Sequence, residues 1–151
     1  MCTVVYLSYL LSCRYVLKGE KRFVDNEELG KMKQIIKLTL IRIGIRCDLI
    51  GFTYLCYAIE LVIQNPKLIH NLCKGLYVDV GKKFETTKKD SVERSIRHAI
   101  DNTYINKSFA ELNRMFKTQL YTIDEKPTVG ELIRLVAEYY NLGLYKDQIQ
   151  L

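Results

Sequence analysis

Proline and glycine are scarce, with 2 and 8 copies among 151 residues. Tight turns depend on those two residues, so a fold of many short strands joined by hairpins is excluded and long helices are favoured. The five cysteines, Cys2, Cys13, Cys47, Cys56 and Cys73, are odd in number and include no Cys-x-x-Cys pair. That usage argues against a disulfide framework or a zinc site, and it points to a reducing, cytoplasmic compartment. Only His70 and His98 could assist a metal site, so no metal or cofactor is expected and the cysteines read as buried free thiols. Cys73 and His98 are the notable nucleophile and base candidates, with no third group placed to orient them. No catalytic activity is expected.

What is present describes an ordinary globular chain. A 48% hydrophobic share excludes disorder across the whole length. With 23 Lys+Arg against 17 Asp+Glu the net charge is +6, which suggests a polyanionic partner but leaves the decision to how the charges are placed. The length fits one domain with or without a tail. The stretch from Met1 to Leu17 is apolar, yet it lacks a basic start and carries Arg14, so it makes a poor secretory signal. Ser8, Ser12 and Arg14 also leave it marginal as a membrane span, and no membrane partner is expected. The chain therefore divides into an N-terminal apolar segment of unassigned role (1–24), a helical domain (25–145) and a short tail (146–151).

Within the domain, Asp25 or Asn26 can cap a helix whose first turn holds Glu27 and Glu28. Leu29, Met32, Ile35 or Ile36, Leu40 and Ile43 then recur at helical spacing until Gly44. A second helix is expected over Phe52–Ile63, apolar nearly all round and therefore central. Asn65-Pro66 interrupts the pattern ahead of a short helix near Lys67–Cys73, with Gly75 as a break. A short amphipathic helix ending near Phe84, a polar turn, a helix over Asp90–Tyr104 and another over Ser108–Phe116 follow. Lys117–Lys126 reads as irregular, and Pro127-Thr128 starts a last helix, Val129–Tyr140. The expected fold is an all-α bundle of about six helices.

The helix over Asp90–Tyr104 carries the functional signal. Asp90 and Glu93 form an acidic variant of the capping box. At about 100° per residue, Val92, Ile96, Ala99 and Thr103 fall within a stripe roughly 60° wide, with Glu93, Arg94, Arg97, His98 and Asp101 on the opposite side. Upstream lie Gly81, a point for close approach, then Lys82, Lys83 and the turn Glu85-Thr86-Thr87-Lys88-Lys89. A short helix, a polar turn and a longer helix with an exposed Arg-rich face is the layout of a helix-turn-helix. Arginine can donate two hydrogen bonds to guanine O6 and N7, and a carboxylate can accept from cytosine N4. Lysines and threonines around the turn suit phosphate contacts, which position without reading sequence. The same residues also describe a solvated helix face laced with i,i+4 ion pairs, and the pattern alone leaves both open.

The string Gly-Lys-Lys-Phe-Glu-Thr-Thr (81–87) followed by Val-Glu-Arg-Ser-Ile-Arg-His-Ala-Ile-Asp (92–101) resembles the C-terminal DNA-binding domain of the stage zero sporulation protein A family. Ile43-Gly44-Ile45, Ile50-Gly51-Phe52-Thr53-Tyr54-Leu55 and Lys126-Pro127-Thr128 agree as well, and the similarity runs from about Ile36 to Tyr140. The resemblance implies an all-helical effector domain of a sporulation response regulator. Such a domain binds TGTCGAA-like promoter elements, often in tandem, and activates or represses transcription through RNA polymerase and its sigma factor. It implies that Glu93, Arg94 and Arg97 read bases. Lys82, Lys83, Thr86, Thr87, Lys88, Lys89, Ser91 and His98 would contact the DNA backbone or support the turn. The partners implied are double-stranded DNA, RNA polymerase with sigma factor, and a second copy on tandem sites.

Three departures stand out. The turn is one residue longer than the family's, Ser91 replaces the family's Arg directly before the Val, and Tyr77-Val78-Asp79 replaces Tyr-Pro-Asp. Lys88 or Lys89 could restore the lost charge but not a bidentate geometry. Some 25 residues precede the first expected helix, too few for the family's receiver domain of about 120 residues. The chain is thus expected to be a stand-alone effector or a fragment of a longer gene product. A competing expectation is a protein-interaction module, an antagonist that binds a full-length relative or RNA polymerase without reading DNA itself.

Overall fold

Helix α1 (Asn26–Ile43) begins where a carboxylate meets free backbone amides: Asp25 accepts from the Glu28 N–H at 2.7 Å, and Glu27 and Glu28 occupy the positive first turn. Met32, Ile36, Leu40 and Ile43 are buried along one side. The helix stops at Gly44, whose φ of 105° lies in the left-handed region that glycine enters without a Cβ clash. There the Gly44 and Ile45 amides close onto the Leu40 carbonyl at 3.2 and 3.0 Å. The computed structural model of the protein describes residues 24–86, 89–106 and 109–148.

Helix α2 (Ile50–Gln64) starts two residues ahead of the expected Phe52 and is buried on most sides. It touches α1, α4 and α6, introduced below, and so forms the centre of the bundle. At Gly51 an added Cβ would fall 2.1 Å from the Ser95 carbonyl oxygen, so the α2 and α4 backbones cross in direct contact.

The expected helix near Lys67–Cys73 is instead two tighter and wider turns. A 3₁₀ turn covers Pro66–His70 and a π turn covers Leu72–Leu76. Gly75 does not break the chain. The Asn71 carbonyl accepts from both the Gly75 and Leu76 amides, at 3.0 and 3.1 Å, which widens the turn and carries it straight into α3 (Tyr77–Lys83).

Helix α4 (Lys89–Asn106) begins one residue before the expected Asp90, whose side chain lies outside the described residues. Helix α5 (Ala110–Phe116) is shorter than expected, and its expected start, Ser108, lies outside the described residues. Residues 118–126 adopt no regular element, as expected, but Asn113 gives them a fixed course. Its Oδ1 accepts from the Leu120 and Tyr121 amides at 2.6 and 3.0 Å, and its Nδ2 donates to the Tyr121 carbonyl at 2.7 Å. The Thr122 amide and hydroxyl both donate to Glu125, which holds that carboxyl below the ordinary carboxylate range.

Helix α6 (Val129–Asn141) opens on a reciprocal capping box. Thr128 Oγ1 accepts from the Glu131 amide and the Glu131 carboxylate accepts from the Thr128 amide. Leu132, Ile133, Leu135, Val136 and Tyr139 are buried as the spacing predicted. A 3₁₀ turn, Leu144–Gln148, follows, with Tyr145 stacked on Tyr140.

The architecture is all-α with six α-helices and no strand among the described residues. None of the described helices is long and apolar enough to cross a membrane. The expectation of buried thiols holds only in part. Cys56 is half-buried and burial pushes its thiol up to about 12, whereas Cys47 and Cys73 are exposed. Cys47 lies in the connector after α1 and Cys73 in the π turn, both outside the core. Cys2 and Cys13 lie outside the described residues.

Candidate nucleic-acid interface

The site is built on the junction of α3 and α4. Val80 and Val92 are fully buried, one on each helix. Gly81 allows the turn to fold back between them: the Thr86 amide donates to the Gly81 carbonyl at 2.9 Å. A Cβ at Gly81 would stand 3.3 Å from the Thr86 carbonyl oxygen and 4.0 Å from Val92 Cγ2. Phe84 at the end of α3 packs against Tyr54 and Tyr57 of α2, with ring centroids 5.3 and 5.7 Å apart. The end of α3 and the turn as far as Thr86 are thereby held against α2 and α4.

Along α4, Val92, Ile96, Ala99 and Thr103 are buried as expected, and Ile100 joins them. Thr103 satisfies its buried hydroxyl by donating to the Ala99 carbonyl at 2.9 Å, with the Gly44 carbonyl 3.4 Å away. The opposite side faces solvent. Ser91, Arg94, Arg97 and His98 are exposed, and Glu93 and Asp101 are half-buried. Arg94 has no partner among the described side chains. Arg97 donates to the Glu93 carboxylate one turn earlier, with the two side chains 60% and 31% exposed. An exposed i,i+4 pair of this kind contributes about 0.3–0.5 kcal/mol, so both groups can exchange partners at little cost.

The remaining candidates separate by environment. Lys82 and Lys83 are exposed at the end of α3, with the Lys83 ammonium 5.9 Å from the Tyr57 ring centroid. Thr86 is half-buried; its hydroxyl is turned inward, with no hydrogen-bond partner among the described residues. Thr87 and Lys88 lie outside the described residues; Lys89 opens α4, and its side chain is likewise outside them.

Beside Glu93 and Arg97 runs a groove of about 470 Å³, walled by the π turn on one side and by Pro127–Gly130 on the other. Tyr77 lines it, its phenol pushed up to about 12 by burial, with the Glu93 charge adding to the shift. Lys126 reaches this groove and pairs with Asp101 at 2.5 Å. Sequence spacing does not reveal that contact: it sets Asp101 on the outer face, and nothing local connects it to a lysine 25 positions further on.

A family model described as sporulation initiation factor Spo0A C terminal matches residues 36–140, more than half of the chain. The chain belongs to the Spo0A C-terminal family. That family consists of DNA-binding effector domains of a sporulation regulator, acting in transcription regulation, and is not an enzyme family. The Spo0A C-terminal match begins in the middle of α1 and ends one residue short of the end of α6. It therefore contains the whole junction of α3 and α4, and the exposed arginines belong to the matched region.

Proposed function

We propose that the protein is a sequence-specific transcription regulator that reads TGTCGAA-like promoter elements with α4. The observation that carries this reading is Arg94, which stands exposed on the side of α4 opposite a fully buried stripe. A guanidinium held on a rigid rod can meet guanine O6 and N7 with both donors, which is worth about 1–3 kcal/mol of discrimination per base. Glu93 and Arg97 flank it and read neighbouring bases after releasing each other, Glu93 accepting from cytosine N4. Lys82, Lys83, Ser91 and His98, with Thr87, Lys88 and Lys89, contact or approach phosphates, while Thr86 supports the turn from inside. The chain acts in the cytoplasm, pairs with a second copy on tandem elements, and activates or represses transcription through RNA polymerase and its sigma factor.

A titration against a TGTCGAA duplex and a scrambled duplex at two salt concentrations tests this. Tighter binding to the first, with a ratio that survives the higher salt, is expected, because phosphate contacts weaken with salt equally on both duplexes. Equal affinities at both salts would overturn base reading. An absence of duplex binding together with co-purification of RNA polymerase would favour an antagonist instead.

A further inference from the structure

Asp101 poses a problem for a helix that approaches DNA. It lies in the same stripe as Glu93 and Arg97, one turn beyond Arg97, and its side chain is 40% exposed. A carboxylate there repels phosphates across a short, poorly screened distance. Lys126, from the segment leading into α6, places its ammonium 2.5 Å from Asp101 Oδ1 and 5.6 Å from the Tyr104 ring centroid. The Tyr104 hydroxyl donates to the Asp124 carbonyl at 3.1 Å, so the same segment is fastened to α4 at two points about one turn apart. Lys126 itself is 46% exposed, which makes this a surface pair with little weight in folding stability. Its consequence lies in the surface potential beside Arg97.

We propose that Lys126 sets DNA affinity by acting through Asp101, cancelling a carboxylate that would otherwise repel the duplex. Lys126 is thus a positioning and charge-masking residue, outside the helix-turn-helix in sequence but fastened to it in space. The inference rests on α4 being the helix that meets DNA.

The test is a cycle of four chains measured on one duplex at low salt: the parent, Lys126→Ala, Asp101→Asn, and both changes together, with Arg94→Ala alongside. Lys126→Ala alone is expected to weaken binding about three- to tenfold, the effect of one uncompensated charge near an interface. In the Asp101→Asn background the same change should cost less than about twofold, because no carboxylate is left to unmask. Equal losses in both backgrounds would overturn the masking role and make Lys126 a phosphate contact in its own right. A double variant as weak as Lys126→Ala alone would also overturn it, because a loosened segment, not a bare charge, would then be the cause. Arg94→Ala separates the two levels. If it leaves binding unchanged, the reading of α4 fails and the inference with it; if it weakens binding while the Lys126 losses are equal, only the masking role fails.

Discussion

Arg94 and Arg97 lie three residues apart on α4 yet meet different surroundings: Arg94 extends into solvent, and Arg97 is folded back onto Glu93. Among the described side chains Arg94 has no partner to leave, whereas on the proposed reading Arg97 must first leave the Glu93 carboxylate. Arg94→Ala is therefore expected to cost about 1–3 kcal/mol on a TGTCGAA duplex and to relax discrimination at one position, as competition titrations with single-base variants would report. Lys82 is exposed at the end of α3, and on the proposed reading it meets phosphate without reading bases. Lys82→Ala should therefore weaken binding evenly across sequences and lower the slope of log affinity against log salt by about one. A Lys82 variant that changed sequence preference would contradict this division of labour.

At the scale of elements, the orientation of α4 depends on its crossing with α2. Gly51 lets the two backbones touch, and the atom nearest an added Cβ is a backbone carbonyl oxygen at 2.1 Å, which no rotamer change can move aside. Gly51→Ala must push α4 outward and is expected to destabilise the fold by about 3 kcal/mol, the upper range for overpacking. Gly30 is the control. It lies within α1 with nothing within 4 Å of an added Cβ, so Gly30→Ala should stabilise by about 0.5–1 kcal/mol through helix propensity. Thermal or denaturant unfolding followed by circular dichroism would show the two glycine replacements moving in opposite directions; shifts of the same sign would refute the crossing as described.

For the molecule as a whole, two carboxylates are buried among the described residues, Glu138 in α6 and Glu60 in central α2; Glu60 is 8% exposed, with the Lys33 ammonium of α1 3.7 Å from its carboxylate. Burial raises its carboxyl above the ordinary range, and Lys33 offsets this only in part. A carboxyl whose folded-state value is raised favours the protonated native state. Its contribution is fully present below the ordinary carboxylate value of about 4.3 and is lost as pH rises through the raised value. Glu60→Gln should accordingly raise the unfolding temperature at pH 7, with the gain shrinking as pH falls through that window. A gain that grew toward acid would reverse the assignment.

Much of this molecule was legible one helix at a time. The ends of α1 and α6 could be read because their signals are local: Asp25 before two glutamates, Gly44 after the last buried isoleucine, Thr128 three residues ahead of Glu131. The outward set of Glu93, Arg94 and Arg97 was legible for the same reason, since helical periodicity alone separates it from Val92, Ile96, Ala99 and Thr103. The Pro66–Leu76 region was not, because the choice between 3₁₀, α and π turns rests on which amides the Asn71 carbonyl accepts. The start of α4 at Lys89 falls one residue ahead of the expected Asp90.

Side-chain order along a helix is set by a fixed rotation per residue, and so the sequence by itself determined which face of α4 could carry base-reading groups. Tertiary structure alone decided the company that face keeps. Pairing Asp101 with Lys126, turning the Thr86 hydroxyl inward and seating α4 on Gly51 all join residues distant in the chain or depend on how the turn packs. No local spacing encodes such contacts, because they form only when separate helices are packed against one another.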